Sequence, residues 1–278
     1  MSQAPAPARL ITAGLPTEAI IAHVLVSKYA DHLPLYRQAL IMSRQGIDLD
    51  RSTLADWVGR AAFELRPVFD ALIPDLKRSK KLFMDETRAP VLDPGARKTK
   101  TGHFWALARD DRPWGGGAPP GVAFTYASGR GGVHAERILQ GFTDILQVDG
   151  YAGYNRLIAP DRVGPDIQLA YCWDHARRKL VEITRSGAAP IAEDGVKRIG
   201  ELYRIEAELR GLPADARLAG RQGRLAPLIA EMRMAHASSH PRCWQIATRR
   251  SAFLHRQILG WPLHLSQRRS HRDRQQYR

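Results

Sequence analysis

The sequence predicts an α/β protein: a mixed sheet flanked by helices, preceded by a small helical region and followed by more helices and an irregular tail. Three observations point that way. Two short stretches, Leu82-Phe83-Met84 and Ile145-Leu146-Gln147-Val148, are bounded by charge and run into Asp85 and Asp149, as strands covered on both faces do. For runs this short, periodicity alone leaves a helix open. Between them lie further stretches of strand composition, and outside them apolar residues recur at the three- and four-residue spacing of a helix face. These features divide the chain into a linker (1–15), a helical region (16–78), a sheet-bearing core (79–185), a second helical region (186–234) and a basic tail (235–278).

Taken in order, residues 1–15 open with the alternating steps Ala4-Pro5-Ala6-Pro7 and show no helix or strand periodicity, as a linker does. From Thr17 the pattern turns helical through Ile20 and Val24, ending near His32-Leu33-Pro34. A second helix runs from Leu35 to Gln45 and stops at Gly46. Ser52 or Thr53 is placed to cap a third, which carries Trp57. The outline fits a helix-turn-helix and equally an ordinary helical hairpin packed on Trp57 and Phe63. Pro67 and Pro74 break or kink the segment beyond this helix.

In the core, the Asp85 strand continues as a turn or extension to Asp93-Pro94-Gly95, and Arg97, Lys98 and Lys100 form a basic loop. That loop either faces phosphates or is a solvated charge cluster. His103 to Ala108 and Val122 to Tyr126 read as strands, Ala135 to Phe142 as a short helix, then comes the Asp149 strand. The glycine-rich stretch Pro113 to Gly121 lacks the lysine and the following helix of a phosphate-binding loop, so it reads as a connector. A short helix after Tyr151 leads to a strand at Ile167 to Tyr171, and this to Cys172-Trp173-Asp174-His175-Ala176-Arg177-Arg178-Lys179. Cys172 and His175 have metal-ligand spacing, but no second pair stands nearby to complete a zinc site. His175, Arg177, Arg178 and Lys179 make better sense as a basic helix start near DNA phosphates. Val196, Ile199, Leu202, Tyr203 and Leu209 trace one face of a later helix, with Glu201, Arg204 and Glu208 opposite.

Composition narrows the function classes. The 278 residues are 44% hydrophobic, enough for a real core, and carry a formal net charge of +14 with a pI near 10.3. A balance so basic calls for a polyanionic partner, nucleic acid or an anionic membrane surface. No signal peptide is visible at the N-terminus, and the strongest apolar run, Ile20 to Val26, is far too short to span a bilayer. Two cysteines, Cys172 and Cys243, make a disulfide framework improbable and a reducing cytoplasm the expected setting. DNA or RNA is the favoured partner, with no membrane role.

If the Asp85 and Asp149 strands lie side by side, the two carboxylates converge on a divalent cation; otherwise each Asp merely ends a strand and starts a turn. The order strand, strand, strand, helix, strand, helix, strand, helices is that of a ribonuclease-H-like α/β fold. There, acidic residues on two neighbouring central strands hold two Mg²⁺ ions about 3.5–4 Å apart, which activate the attacking oxygen and stabilise the leaving oxygen of a phosphodiester.

Four segments carry a resemblance: His23 to Gln38 (His-Val-Leu-Val-Ser-Lys-Tyr-Ala-Asp-His-Leu-Pro-Leu-Tyr-Arg-Gln), Asp85-Glu86-Thr87, Gln147-Val148-Asp149-Gly150-Tyr151-Ala152-Gly153-Tyr154, and Cys172 to Lys179. In this order they closely resemble the insertion-sequence-66 family of bacterial transposases, over roughly residues 9–234. The resemblance implies a DDE-type enzyme that cleaves and transfers DNA strands at transposon terminal repeats with Mg²⁺ or Mn²⁺. Asp85 and Asp149 would be its first two catalytic, metal-binding acids, and an intact transposition complex would be a homo-oligomer. Family members also carry an N-terminal DNA-binding and coiled-coil region, which is not expected in these 278 residues.

The family's third acid is a Glu within Asp-Asn-Asn-X-Ala-Glu-Arg, a motif absent here; Glu201, Glu206 and Glu208 precede its place and look like a solvated face. Residues 235–278 hold nine arginines, no lysine and one acid, a net of +8, leaving 14 − 8 = +6 for the rest. This is the composition of a basic nucleic-acid-binding arm. It is also what a change of reading frame near Met234 produces. Arg272 to Arg278 can be encoded so that the next frame reads Glu-Ile-Asp-Asn-Asn-Thr, entering the missing motif. Three functions therefore stand: a transposase catalytic core, a DNA-binding remnant without catalysis, and a nucleic-acid hydrolase unrelated to transposition. The missing third acid favours a truncated, inactive copy.

Overall fold

The computed structural model describes residues 9–11, 16–93, 95–96, 98–114 and 116–238. The chain divides into two compact units, Met1–Pro74 and Asp75–Arg278.

The first unit is helical: α1 (Glu18–Tyr29), α2 (Leu35–Arg44), α3 (Arg51–Glu64) and most of α4 (Arg66–Leu76). Ile21 and Val24 of α1, Met42 of α2 and Leu54, Trp57 and Ala61 of α3 form its buried cluster, at helix-face spacings. Gln38 is buried with them and donates its amide to the Leu33 carbonyl (3.0 Å), satisfying a carbonyl in the α1–α2 turn. Gly46, with φ +83°, closes α2 as expected. Two details differ from the sequence reading. Asp50, not Ser52 or Thr53, occupies the N-cap of α3, and it makes no side-chain cap hydrogen bond. Phe63 is 77% exposed, so the hairpin packs on Trp57 alone of the two aromatics. Pro67 falls in the first turn of α4, where no donor is needed, and Pro74 lies inside that helix.

The second unit is built on a five-stranded mixed sheet of order β3-β2-β1-β4-β5. Its strands are β1 (Lys81–Asp93), β2 (Lys98–Arg109), β3 (Gly121–Ala127), β4 (Asp144–Val148) and β5 (Ile167–Tyr171). β1, β2 and β3 pair antiparallel, whereas β1–β4 and β4–β5 are parallel. Leu82, Met84, Trp105, Leu107, Leu146 and Val148 are all buried on these strands, each contributing about 1.5–3 kcal/mol by leaving water. Arg109, 5% exposed at the end of β2, donates to the Pro119 carbonyl (3.0 Å) and the Asp75 carbonyl (2.8 Å) and pairs with the Asp75 carboxylate (2.9 Å). A buried guanidinium so fully engaged fixes the sheet to the chain that enters it.

β1 is longer than its apolar run. Thr87 to Leu92 continue the strand, paired with Phe104 to Thr99 of β2, so Asp85 lies mid-strand and not at a strand end. What ends there is the parallel pairing, which runs from Lys81 to Phe83 against Ile145 to Gln147. The stretch expected as a basic loop is also strand from Lys98 on. β-favouring Thr87, Val91, Thr99 and Thr101 carry the hairpin outward, and Gly95 turns it at φ +89°.

Helices follow in the expected order: α5 (Gly132–Ile138), a 3₁₀ helix (Ala152–Ile158), α6 (Trp173–Thr184), α7 (Pro190–Leu209) and α8 (Ala214–Gly220). α8 passes through a π-helical turn (Arg221–Leu225) into α9 (Ala226–Ser238). Trp173, Ala176 and Leu180 pack with Ala192, Ile199, Leu202, Ile205 and Leu209 and with Leu225, Ile229 and Met232. Tyr203, expected on the buried face, is 41% exposed, and Ile205 takes that place because it keeps the three- and four-residue spacing from Leu202 and Leu209. Glu201 and Glu208 pair with Arg204 on the outer face. The tail beyond Ser238 lies outside the described residues.

Candidate metal and nucleic-acid site

The site grows from the pairing of β1 with β4. Phe83 opposite Gln147 puts the two following residues of each chain, ending in Asp85 and Asp149, at one edge of the parallel segment. Gly150 then takes φ +116°, a conformation in the left-handed half of the map that suits glycine. The resulting turn lets the Tyr151 N–H donate to Asp149 Oδ1 at 2.7 Å. Asp85 Oδ1 accepts from the Glu86 N–H at 2.8 Å. Asp85, Glu86 and Asp149 each offer a carboxylate oxygen, and these lie within 4.8 Å of one another. Asp85 is exposed and Asp149 half-buried, so the opening faces solvent.

Glu86, the third acid of the cluster, has no strand-end context to mark it in the sequence. Its backbone is accessible, yet its side chain is fully buried, and both carboxylate oxygens are engaged. Oε1 accepts from Arg130 Nε at 2.6 Å and pairs with Arg130 Nη2; Oε2 accepts from the Tyr154 hydroxyl at 2.6 Å. Burial, first, and the Glu86 carboxylate, second, push the Tyr154 phenol far above its ordinary range, so it stays a donor. Tyr154 packs edge-on against Trp105 (6.0 Å) and Tyr151 (6.0 Å). The Arg130 guanidinium lies 3.7 Å over the Tyr151 ring, whose hydroxyl donates to the Arg130 carbonyl at 2.9 Å. The signal for Arg130 is its glycine-flanked loop, Gly129-Arg130-Gly131-Gly132, where backbone can approach backbone closely. Tyr151 and Tyr154 stand in a stretch already singled out, two and five residues after Asp149.

The remaining basic residues lie on separate elements. Lys98 and Lys100 are exposed on β2, Lys100 within 3.8 Å of Asp93, and Arg97 is outside the described residues. α6 starts close to the acids, because the Cys172 N–H donates to the carbonyl of Val148, the residue before Asp149, at 3.0 Å. Arg177, Arg178 and Lys179 are exposed along α6, where Arg178 pairs with Asp174 (3.8 Å) and Lys179 with Glu182 (2.8 Å). Such surface pairs are weak and leave the cations available to phosphates. His175 is half-buried, and its Nδ1 has no hydrogen-bond partner among the described residues. No helix among the described residues is long and apolar enough to cross a membrane.

The acids thus meet where the parallel pairing of the central strands β1 and β4 ends, near the start of the basic helix α6. The chain belongs to the Transposase IS66 family, which it matches over residues 13–255. This is further toward the C-terminus than the four segments reach. Among curated proteins it is 45% identical over 234 residues to the uncharacterized protein y4jD of Sinorhizobium fredii (strain NBRC 101917 / NGR234), covering 83% of this chain and 46% of that protein. It is 46% identical over 233 residues to y4qI and 38% identical over 244 residues to y4hP, both uncharacterized proteins of the same strain. These matches cover 83% and 84% of this chain, and 43% and 44% of those proteins. The chain therefore spans a little under half the length of the curated relatives it matches.

Proposed function

We propose that this chain carries the core of a DDE-type transposase, which binds DNA ends and holds Mg²⁺ or Mn²⁺ between Asp85 and Asp149. The observation that carries the reading is the convergence of these carboxylates within 4.8 Å in a member of a transposase family. The donor set fits the ion: hard carboxylate oxygens suit Mg²⁺ and Mn²⁺ and not a thiolate-loving metal. The sheet order β3-β2-β1-β4-β5, antiparallel in its first half and parallel in its second, supports a ribonuclease-H-like fold. Bound there, the metal supplies a more acidic water for attack on a phosphodiester and a Lewis acid for the departing oxygen. Asp85 and Asp149 hold it, and the exposed Lys98, Lys100, Arg177, Arg178 and Lys179 neutralise DNA phosphates. Several protomers acting together in the cytoplasm would complete a transposition complex.

The second reading, a DNA-binding remnant, is favoured for these 278 residues by themselves, since they lack the Asp-Asn-Asn-X-Ala-Glu-Arg motif. On this view DNA and metal bind while strand transfer is little or absent. The two are separated by assaying binding and Mg²⁺- or Mn²⁺-dependent cleavage of terminal-repeat DNA side by side, with Asp85→Asn and Asp149→Asn as controls. Cleavage lost in both variants supports the transposase core, and binding without cleavage supports the remnant. Cleavage indifferent to terminal-repeat sequence would point to a general hydrolase, and cleavage that survives both substitutions would remove Asp85 and Asp149 from the chemistry.

A further inference from the structure

We propose that Arg130 holds a DNA phosphate beside Asp85 and Asp149, and that Glu86 is its anchor and not a third metal ligand. The inference rests on the reading of the site as a metal-dependent DNA site. Glu86 stands among the acids, and distance alone would make it the missing carboxylate. Its chemistry says otherwise. A metal ligand presents an uncommitted oxygen to the ion, whereas three of the four acceptor sites of the Glu86 carboxylate are taken, by Arg130 Nε and Nη2 on Oε1 and by the Tyr154 hydroxyl on Oε2, and its side chain is wholly buried. Taking up an ion would strip the Arg130 guanidinium of the carboxylate that orients it.

Arg130 has the opposite profile. Its side chain is 41% exposed, so the guanidinium reaches solvent even though two of its nitrogens face Glu86. Three contacts fix it: the Glu86 pair, the Tyr151 ring beneath its face, and the Tyr151 hydroxyl on its carbonyl. Tyr151 in turn donates its N–H to Asp149, so one residue positions both the cation and the carboxylate. A planar, preorganised cation at the rim of an acidic cluster suits a phosphodiester, which its fork recognises and whose approach to carboxylates it eases.

The test uses the full chain with two probes: Mn²⁺ alone, and a 20-base-pair DNA duplex titrated in EDTA and in Ca²⁺. Arg130→Gln alone would strand the buried Glu86, so the main variant is the doubly neutral Glu86→Gln/Arg130→Gln, which keeps the net charge. Thermal melting checks folding, and Arg130→Lys, which keeps a cation beside Glu86 without the planar fork, serves if the double variant does not fold. The variant should bind Mn²⁺ within about threefold of the parent, while Asp149→Asn loses at least about tenfold. Ca²⁺ should tighten duplex binding by the parent, and the variant should forfeit about tenfold of that gain, each protein being compared with its own affinity in EDTA. Loss of Mn²⁺ binding on the scale of Asp149→Asn would make Glu86 a ligand and overturn the assignment. So would an undiminished Ca²⁺-dependent gain. A parent that neither binds Mn²⁺ nor gains from Ca²⁺ would instead remove the metal-site reading, and Arg130's role with it.

Discussion

At the scale of single residues, the site is held by a few polar side chains bonded to one another. The Tyr154 hydroxyl supplies a hydrogen bond to a fully buried carboxylate. Tyr154→Phe keeps the ring and removes only that donor, so stability should fall by about 1–3 kcal/mol, read from urea denaturation. An unchanged midpoint would mean that Arg130 alone satisfies Glu86. Lys81 and Tyr154 also set opposite pH trends. Burial, and then the nearby Arg221 charge, lower Lys81 from 10.5 to about 8. Between those values the unfolded chain holds a proton that the folded one has lost. Stability from Lys81 therefore climbs with pH across that window, by no more than about 3 kcal/mol. Tyr154 is raised from 10.0, so above pH 10 the unfolded chain loses a proton that the folded one keeps, and stability falls. From these two groups, melting temperatures should pass through a maximum between about pH 10 and 10.5. Lys81→Met should flatten the climb and spare the alkaline fall; a profile unaltered by that substitution would refute the assignment.

At the scale of elements, the approach of α5 to the 3₁₀ helix after Asp149 decides where Arg130 and Tyr151 sit. A Cβ on Gly132 would lie 2.1 Å from the Gly153 carbonyl oxygen, a backbone atom that cannot swing aside. Gly132→Ala should cost at least about 2 kcal/mol, because overpacking against backbone forces elements apart. Gly200, inside α7 with nothing within 4 Å of its Cβ position, is the matched control, and Gly200→Ala should stabilise by about 0.5–1 kcal/mol. Equal effects at the two sites, by denaturant unfolding, would show that the close approach is not structural. The same elements show what could be read in advance. β5 is found at Ile167 to Tyr171, the bounds that its composition predicts, because the alternating apolar residues of this short edge strand, paired with β4, declare themselves locally. The length of β1 was not legible, since polar Thr87 and Arg88 are strand only by virtue of pairing with β2. The acids Asp85 and Asp149 stood out through matching strand contexts. Arg130 did not, because a guanidinium in a glycine-rich loop gains meaning only from Glu86, 44 residues away, and from the Tyr151 ring.

At the scale of the whole molecule, charge is the property that any polyanion meets first. The family match runs to residue 255, so 255 − 234 = 21 residues of likeness lie beyond the expected change of frame near Met234. The encoding DNA settles that point: a gene whose alternative frame cannot read Glu-Ile-Asp-Asn-Asn-Thr rules the frame change out. Whatever its origin, the tail concentrates cations. α9 runs to Ser238, and residues 239–278 contain nine arginines and one aspartate, +8 of the +14. Ending the chain after Ser238 therefore removes more than half of the net charge while keeping every described element of the sheet-bearing unit. Each phosphate neutralised contributes about −0.9 to the slope of log K against log salt, so a tail that lies on DNA through four to eight arginines would steepen it by about 4 to 7. The full chain should bind a duplex with little sequence preference and a steep slope, and the shortened chain should lose that increment. Fluorescence anisotropy at several salt concentrations measures both. If the shortened chain keeps the full slope, the contacts are made by Lys98, Lys100, Arg130 and the α6 cations, and the tail's arginines are bystanders. If it loses the slope and all binding together, the sheet and α6 do not hold DNA by themselves, and the proposed interface on the core falls.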